Sequence, residues 1–293
     1  MKKLHGVIPP MITPFDAQGN LDEQSLLVLL DFLLKHVDGV FINGSYGACA
    51  MMSIAERKRV AEITTKAANG KTQVIVMVGT ANTRDAIELA KHANSIGADA
   101  IAAIAPYYFK HNSDDLKSFF GDLVSVSKLP VYIYNNPSFQ GYPIDMPTMQ
   151  ALKSIGVAGV KDATFDIIMH ANYQRLLQDQ SFDVVLGTEA MWLPAAALGC
   201  QAFIPGIGNV FPEICQTMYQ QAMATEYLHC RKTQFCVNRI REIMYLAKST
   251  QLAIYAMLEI RKIIKSYPRA PFVPASEEEK AKIKASLIEL GMI

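Results

Sequence analysis

Eight short apolar runs recur along the first two thirds of this chain, and helix-patterned stretches lie between them. The runs are Gly6–Ile12, Gly39–Asn43, Gln73–Gly79, Ala100–Ala105, Pro130–Asn135, Val157–Ala163, Phe182–Gly187 and Gln201–Gly206. They are rich in Val, Ile, Tyr and Phe and are bounded by Gly, Pro or Asn. Continuous apolar runs suit parallel strands covered on both faces. The intervening stretches read as helices. Ser25–Lys35 follows a start signal at Asp22 and Glu23. Ser53 and Glu56 have capping-box spacing for a helix running to Ala68. Thr83–Ile96 stops before Gly97, a suitable residue to end it. Asp114–Val126, Asp145–Lys153, Asp166–Gln178 and Trp192–Leu198 complete the alternation. Each is long enough to carry the chain between parallel strands.

Eight strands alternating with helices predict an α/β fold of the (β/α)8, or TIM-barrel, kind. A doubly wound open sheet would need a glycine-rich turn after the first strand. Here that stretch reads Pro9-Pro10-Met11-Ile12-Thr13-Pro14. After Gly206 the strand signal stops. Pro212–Ala224, Leu228–Leu246, Leu252–Lys265 and Ser276–Leu290 all read as helices, with Pro268, Pro271 and Pro274 marking a loop before the last. The expected organisation is a barrel over residues 1–225 carrying the active site, with a C-terminal helical extension over 226–293 packed on it.

The chain has 293 residues, of which 51% are hydrophobic and 19% charged, enough to bury a large core. A net charge of +1 argues against nucleic acid or a membrane surface as partner and leaves a small anionic substrate open. No apolar stretch reaches the roughly 18 residues a membrane helix needs. The start, Met1-Lys2-Lys3-Leu4-His5, leads into a strand-like run without a hydrophobic signal region, so a cytoplasmic protein is expected. The five scattered cysteines form no C-x-x-C pair and read as structural thiols of a reducing compartment.

Barrel enzymes carry their chemistry at the C-terminal ends of strands. On the sixth run, period-two alternation puts Gly159, Lys161 and Ala163 on one face. If that face is the interior, two very small residues flank an amine. Burial would lower its pKa and free a nucleophile able to form a Schiff base with a ketone. The alternative is a lysine snorkelling at a strand end or paired with Asp162. On the fifth run Tyr132 and Tyr134 share a face, and Tyr134, nearer the end, is a candidate proton shuttle or a core aromatic. After the second run, Gly44 and Gly47 bracket a tight turn whose amides could hold a carboxylate, and Ser45 adds a hydroxyl.

Together, Gly44-Ser45-Tyr46-Gly47, Pro106-Tyr107-Tyr108, Tyr134-Asn135-Asn136-Pro137 and Gly159-Val160-Lys161-Asp162 give the chain a recognisable character. Over nearly its whole length it resembles the dihydrodipicolinate synthase / N-acetylneuraminate lyase family. The resemblance implies that Lys161 attacks the keto carbon of pyruvate or another 2-oxo acid, that Tyr134 relays protons, and that Ser45 links it to Tyr108. In the family's synthases this last tyrosine comes from a neighbouring subunit. The amides of Ser45 and Tyr46 would hold the carboxylate, and the backbone at Gly187 and Ile204, with Gly206 nearby, would line the site. A homotetramer built as a dimer of dimers is implied, with no metal and no dissociable cofactor.

Four departures bear on the substrate. Relatives usually carry Thr at the place of Tyr46 and Glu at that of Ala48. Dihydrodipicolinate synthases carry an arginine where Phe139 stands, and a phenyl ring cannot replace a bidentate arginine–carboxylate pair. Neuraminate lyases carry a threonine where Ala163 stands. The Asp166–His170 and Tyr267–Pro271 stretches look like the 2-keto-3-deoxy sugar-acid aldolases. Glu189 falls where those enzymes turn a carboxylate toward sugar hydroxyls, or is a solvated loop charge. The leading expectation is a pyruvate-dependent lyase or aldolase acting on such a sugar acid and an aldehyde. The alternatives are a synthase-type condensation or dehydration, and a non-catalytic binding or regulatory barrel.

Overall fold

The computed structural model describes residues 3–293, so Met1 and Lys2 of the N-terminal reading lie outside the described residues. Eight parallel strands form one sheet in the order β1-β8-β7-β6-β5-β4-β3-β2. They are β1 (Gly6–Val7), β2 (Gly39–Ile42), β3 (Gln73–Met77), β4 (Ala100–Ile104), β5 (Val131–Asn135), β6 (Gly159–Asp162), β7 (Asp183–Leu186) and β8 (Ala202–Phe203). The ring closes between β1 and β2 through a parallel bridge from Pro10 to Phe41, with Met11 N donating to Phe41 O at 2.9 Å. The result is the expected (β/α)8 barrel.

The first and last strands are shorter than the apolar runs that announce them. Pro9 and Pro10 have no N–H for a ladder and end β1 as a regular strand; Pro205 does the same just past β8.

Among the described residues, twelve α-helices surround and follow the strands: α1 (Glu23–Leu33), α2 (Ile54–Ala68), α3 (Thr83–Ile96), α4 (Ser113–Val126), α5 (Pro137–Gln140), α6 (Met146–Ser154), α7 (Ile167–Leu176), α8 (Trp192–Ala197), α9 (Pro212–Met223), α10 (Tyr227–Met244), α11 (Thr250–Ile260) and α12 (Glu277–Glu289). The capping box forms at α2: Ser53 N donates to Glu56 Oε2 at 2.8 Å and Glu56 N to Ser53 Oγ at 3.2 Å. Gly97, at φ +76°, closes α3 in the left-handed conformation that glycine adopts without strain. The short α5 was not anticipated.

The hydrophobic core has two shells. Inside the barrel lie Ile8, Phe41, Ile75, Tyr132, Tyr134 and Ile204. A larger shell packs the outer strand faces against the helices. The C-terminal helices pack on the same body: α10 against α8 and α9, and α11 against the 3-10 turn at Gly206–Asn209. Tyr255 of α11 donates to Thr13 O at 2.7 Å. Among the described residues no helix is long and apolar enough to cross a membrane. All five cysteines are free thiols.

Candidate active site

Lys161 is the last inward-facing residue of β6 and is only 5% exposed. Its strand neighbours in register are Tyr134 on β5 and Val185 on β7. Its Nζ stands 3.9 Å from the ring centroid of Phe41, on β2, and 3.9 Å from that of Tyr134. Two aromatic rings thus replace the water an ammonium would want, and burial lowers the lysine to about 7. Near neutrality a large share of the amine is unprotonated. Pairing with Asp162 does not occur. Alternation sends that carboxylate to the outer face, where it accepts from Thr164 Oγ1 at 2.7 Å and lies 3.0 Å from His170 Nδ1.

Tyr134 is the shuttle candidate on geometry as well as sequence. Its hydroxyl is 3.4 Å from Ser45 Oγ and accepts from Asn136 Nδ2 at 3.1 Å. Burial raises its pKa, and these two hydrogen bonds pull it back. Ser45 sits in the turn expected after β2. Thr13 Oγ1 pins that turn by donating to Gly47 O at 2.8 Å. Gly44 packs against Phe41, and a Cβ there would come within 2.7 Å of its ring.

The Tyr46 ring crosses the mouth to Gly206, where an added Cβ would meet the phenol oxygen at 2.5 Å. Gly206 has no room for a side chain because Tyr46 fills the space. Burial first, and the Glu189 charge second, push this phenol well above the usual tyrosine range.

Glu189 is neither a solvated loop charge nor an unpartnered carboxylate. It is 1% exposed, accepts from Gly206 N at 2.8 Å, and is bridged by Arg241 Nη1 of α10 at 3.0 Å. Gly187 is as constrained as Gly206, since a Cβ would lie 2.6 Å from Asp162 O.

A cavity of about 340 Å³ joins these groups. Tyr46, Phe139, Gly187, Glu189, Ile204 and Gly206 all line it with Lys161 and Tyr134. Phe139 stands half-exposed at the rim. Tyr108 is not brought in by its own chain. It is 89% exposed, its backbone holds φ +82°, and its ring packs edge-on against Phe109 at 4.9 Å.

Sequence reasoning missed Phe41, Asn136, Arg241 and Thr250 as wall residues. Phe41 and Arg241 carry no local signal, because only barrel closure brings Phe41 to Lys161 and only the packing of α10 brings Arg241 to Glu189 at the pocket wall. Asn136 is visible in the sequence only as part of the Y-N-N-P motif.

A buried, depressed amine at a strand end, facing a phenol at the base of a pocket that opens at the barrel mouth, defines a class I, lysine-dependent lyase. Comparison with known proteins agrees. The dihydrodipicolinate synthetase family model matches residues 3–290, and the chain belongs to that family. It is 30% identical to a 4-hydroxy-tetrahydrodipicolinate synthase of Methanopyrus kandleri, over 99% of this chain and 98% of the relative. It is also 30% identical to a probable 2-dehydro-3-deoxy-D-pentonate aldolase, YjhH, of Escherichia coli, over 100% and 99%. Among solved structures, YagE of E. coli K12, a family protein in complex with pyruvate, superposes with TM-score 0.94 at 26% identity, covering 99% of both chains.

Proposed function

We propose that the chain cleaves the C3–C4 bond of a 2-keto-3-deoxy sugar acid, releasing pyruvate and an aldehyde, with Lys161 as the covalent residue. The observation that carries the reading is Lys161 Nζ, buried between Phe41 and Tyr134 with its pKa lowered to about 7. The neutral amine attacks the keto carbon, water leaves, and a protonated imine forms. Tyr134 gives its proton to the carbinolamine hydroxyl as that group leaves as water, and the resulting phenolate, with Ser45 at its oxygen, takes the proton from the C4 hydroxyl. The C3–C4 electron pair moves into the imine as an enamine, and the aldehyde departs. The enamine is protonated at C3, and water hydrolyses the imine to pyruvate. No metal or dissociable cofactor enters this scheme.

The turn at Gly44–Gly47 and the backbone at Gly187 and Ile204 would hold the carboxylate. Tyr46, Glu189 and Arg241 would face the departing half with hydroxyl and carboxylate oxygens and guanidinium N–H groups, a surface suited to a hydroxylated aldehyde. The 30% identity to the pentonate aldolase supports that class. The same enamine can attack an aldehyde, so synthase-type condensation is the alternative, and the synthase relative speaks for it. Phe139 at the rim speaks against it, since it offers no cation to a second carboxylate.

The expected assembly is a homo-oligomer in which Tyr108 reaches the Ser45–Tyr134 pair of a second copy; a monomer in sedimentation velocity would refute it. A cytoplasmic setting is part of the same reading.

The test is intact-mass spectrometry after incubation with pyruvate and sodium borohydride. One adduct, mapped to Lys161 and absent from a folded Lys161→Ala protein, is the expected outcome. No adduct on folded wild-type protein would bring the non-catalytic reading back. Pyruvate release from a panel of 2-keto-3-deoxy aldonic acids then separates cleavage from condensation.

A further inference from the structure

One polar contact at the barrel mouth is not used by that scheme. Asn136 is 6% exposed, and its Nδ2 donates to the Tyr134 oxygen at 3.1 Å. The amide cannot be turned the other way without loss. Its Oδ1 caps α5 by accepting Phe139 N at 3.3 Å, which leaves the NH2 end for the phenol. The residue is clamped from behind as well. Asn136 N donates to Gln140 Oε1 at 3.2 Å, Gln140 Nε2 donates to Asn135 Oδ1 at 3.1 Å, and Asn135 Nδ2 donates to the Tyr173 hydroxyl at 2.9 Å. The helix cap and the chain of amides therefore aim one N–H at one phenol oxygen.

The two partners of that oxygen differ in kind. Ser45 can donate or accept, at the longer distance of 3.4 Å. A carboxamide NH2 only donates, and it does not ionise. A donor on a phenol oxygen stabilises the ionised form over the neutral one. It also occupies one acceptor position, leaving the phenol's own proton to point elsewhere.

We infer that Asn136 is a positioning residue for Tyr134: its amide fixes the oxygen of the phenol whose ring lies against Lys161 and steadies the charge that appears on that oxygen each time Tyr134 gives up its proton. The inference rests on Tyr134 being the proton relay of the proposed function.

The test uses pyruvate alone, so it does not depend on the aldehyde. Exchange of pyruvate methyl protons in heavy water, followed by NMR, reports passage from imine to enamine. Asn136→Ser keeps a side-chain oxygen that can cap α5 but is too short to reach the phenol. Its saturated exchange rate should fall roughly 10–100-fold, the size expected for a hydrogen bond to a charged group. Half-saturation by pyruvate should stay within about threefold, because the carboxylate and imine contacts are untouched. Borohydride trapping at Lys161 should persist, showing a folded site.

The decisive comparison is with Tyr134→Phe, where adding Asn136→Ser should change nothing further, as a double-mutant cycle requires of two groups acting through one contact. A wild-type exchange rate in Asn136→Ser beside a slow Tyr134→Phe would overturn this inference alone. So would an equal slowing by Asn136→Ser with and without the phenol. A wild-type rate in Tyr134→Phe would overturn the relay itself, and this inference with it.

Discussion

At the scale of single residues, the site rests on one disfavoured charge. Lys161 titrates near 7 in the fold and near 10.4 in an unfolded chain. Between those values the unfolded chain binds one more proton, so stability rises with pH by about 1.4 kcal/mol per unit from this group. Below 7 the penalty is complete. Lys161→Met should therefore melt above wild type at pH 7, with the gap closing toward pH 10; thermal scans at both values decide it, and a gap that does not change with pH would refute it. A second prediction concerns the contact between Tyr46 and Gly206. Gly206→Ala places a methyl 2.5 Å from the Tyr46 oxygen and should cost about 1–3 kcal/mol, as overpacking does. Tyr46→Thr should restore most of that loss. A cost that stays the same in the Tyr46→Thr background would mean that another neighbour restricts the position.

At the scale of elements, α2 is held by an unusually busy first turn. Glu56 closes its capping box and also accepts two N–H groups of Arg269, at 2.5 and 2.9 Å. The guanidinium, more than the cap, holds this carboxyl down at about 2. A depressed carboxyl contributes stability above its unfolded value, near 4.3, and loses it as pH falls toward 2. Glu56→Gln should cost about 1–2 kcal/mol at pH 7 and far less near pH 2, read from denaturant unfolding at the two values. That turn also shows which elements were legible. Helix limits follow local signals: Ser53 and Glu56 mark the start of α2, and Thr83–Ile96 is as expected because Gly97 stops it. Strand limits failed at Pro9–Pro10, where an apolar run looks like a strand and cannot donate to one. The period of two was enough to turn Lys161 and Tyr134 inward. It could not show that Glu189 meets Arg241, because that pair joins β7's loop to α10 only after the helices have packed.

At the scale of the whole molecule, the C-terminal helices are part of the pocket wall, and the 226–293 extension is expected to be inseparable from the barrel. Its removal strips Arg241 from Glu189, which is 1% exposed, and a buried carboxylate left alone costs about 3–5 kcal/mol. The buried residues Leu252, Ile254, Met257 and Leu258 of α11 would go with it. Against a total stability of about 5–15 kcal/mol, residues 1–225 alone should show no cooperative thermal transition. A sharp transition in that fragment would make the barrel an independent unit. The same wall has a consequence for how the protein comes into being. Translation delivers Lys161 about eighty residues ahead of Arg241, an interval of roughly 4–16 seconds at 5–20 residues per second. Throughout that time the growing chain holds a lysine, the two rings that will flank it, and no finished wall over the mouth. The last barrier between the amine and the ketones of its surroundings is among the last parts made, so an interrupted chain carries the reactive residue without the enclosure that governs what reaches it.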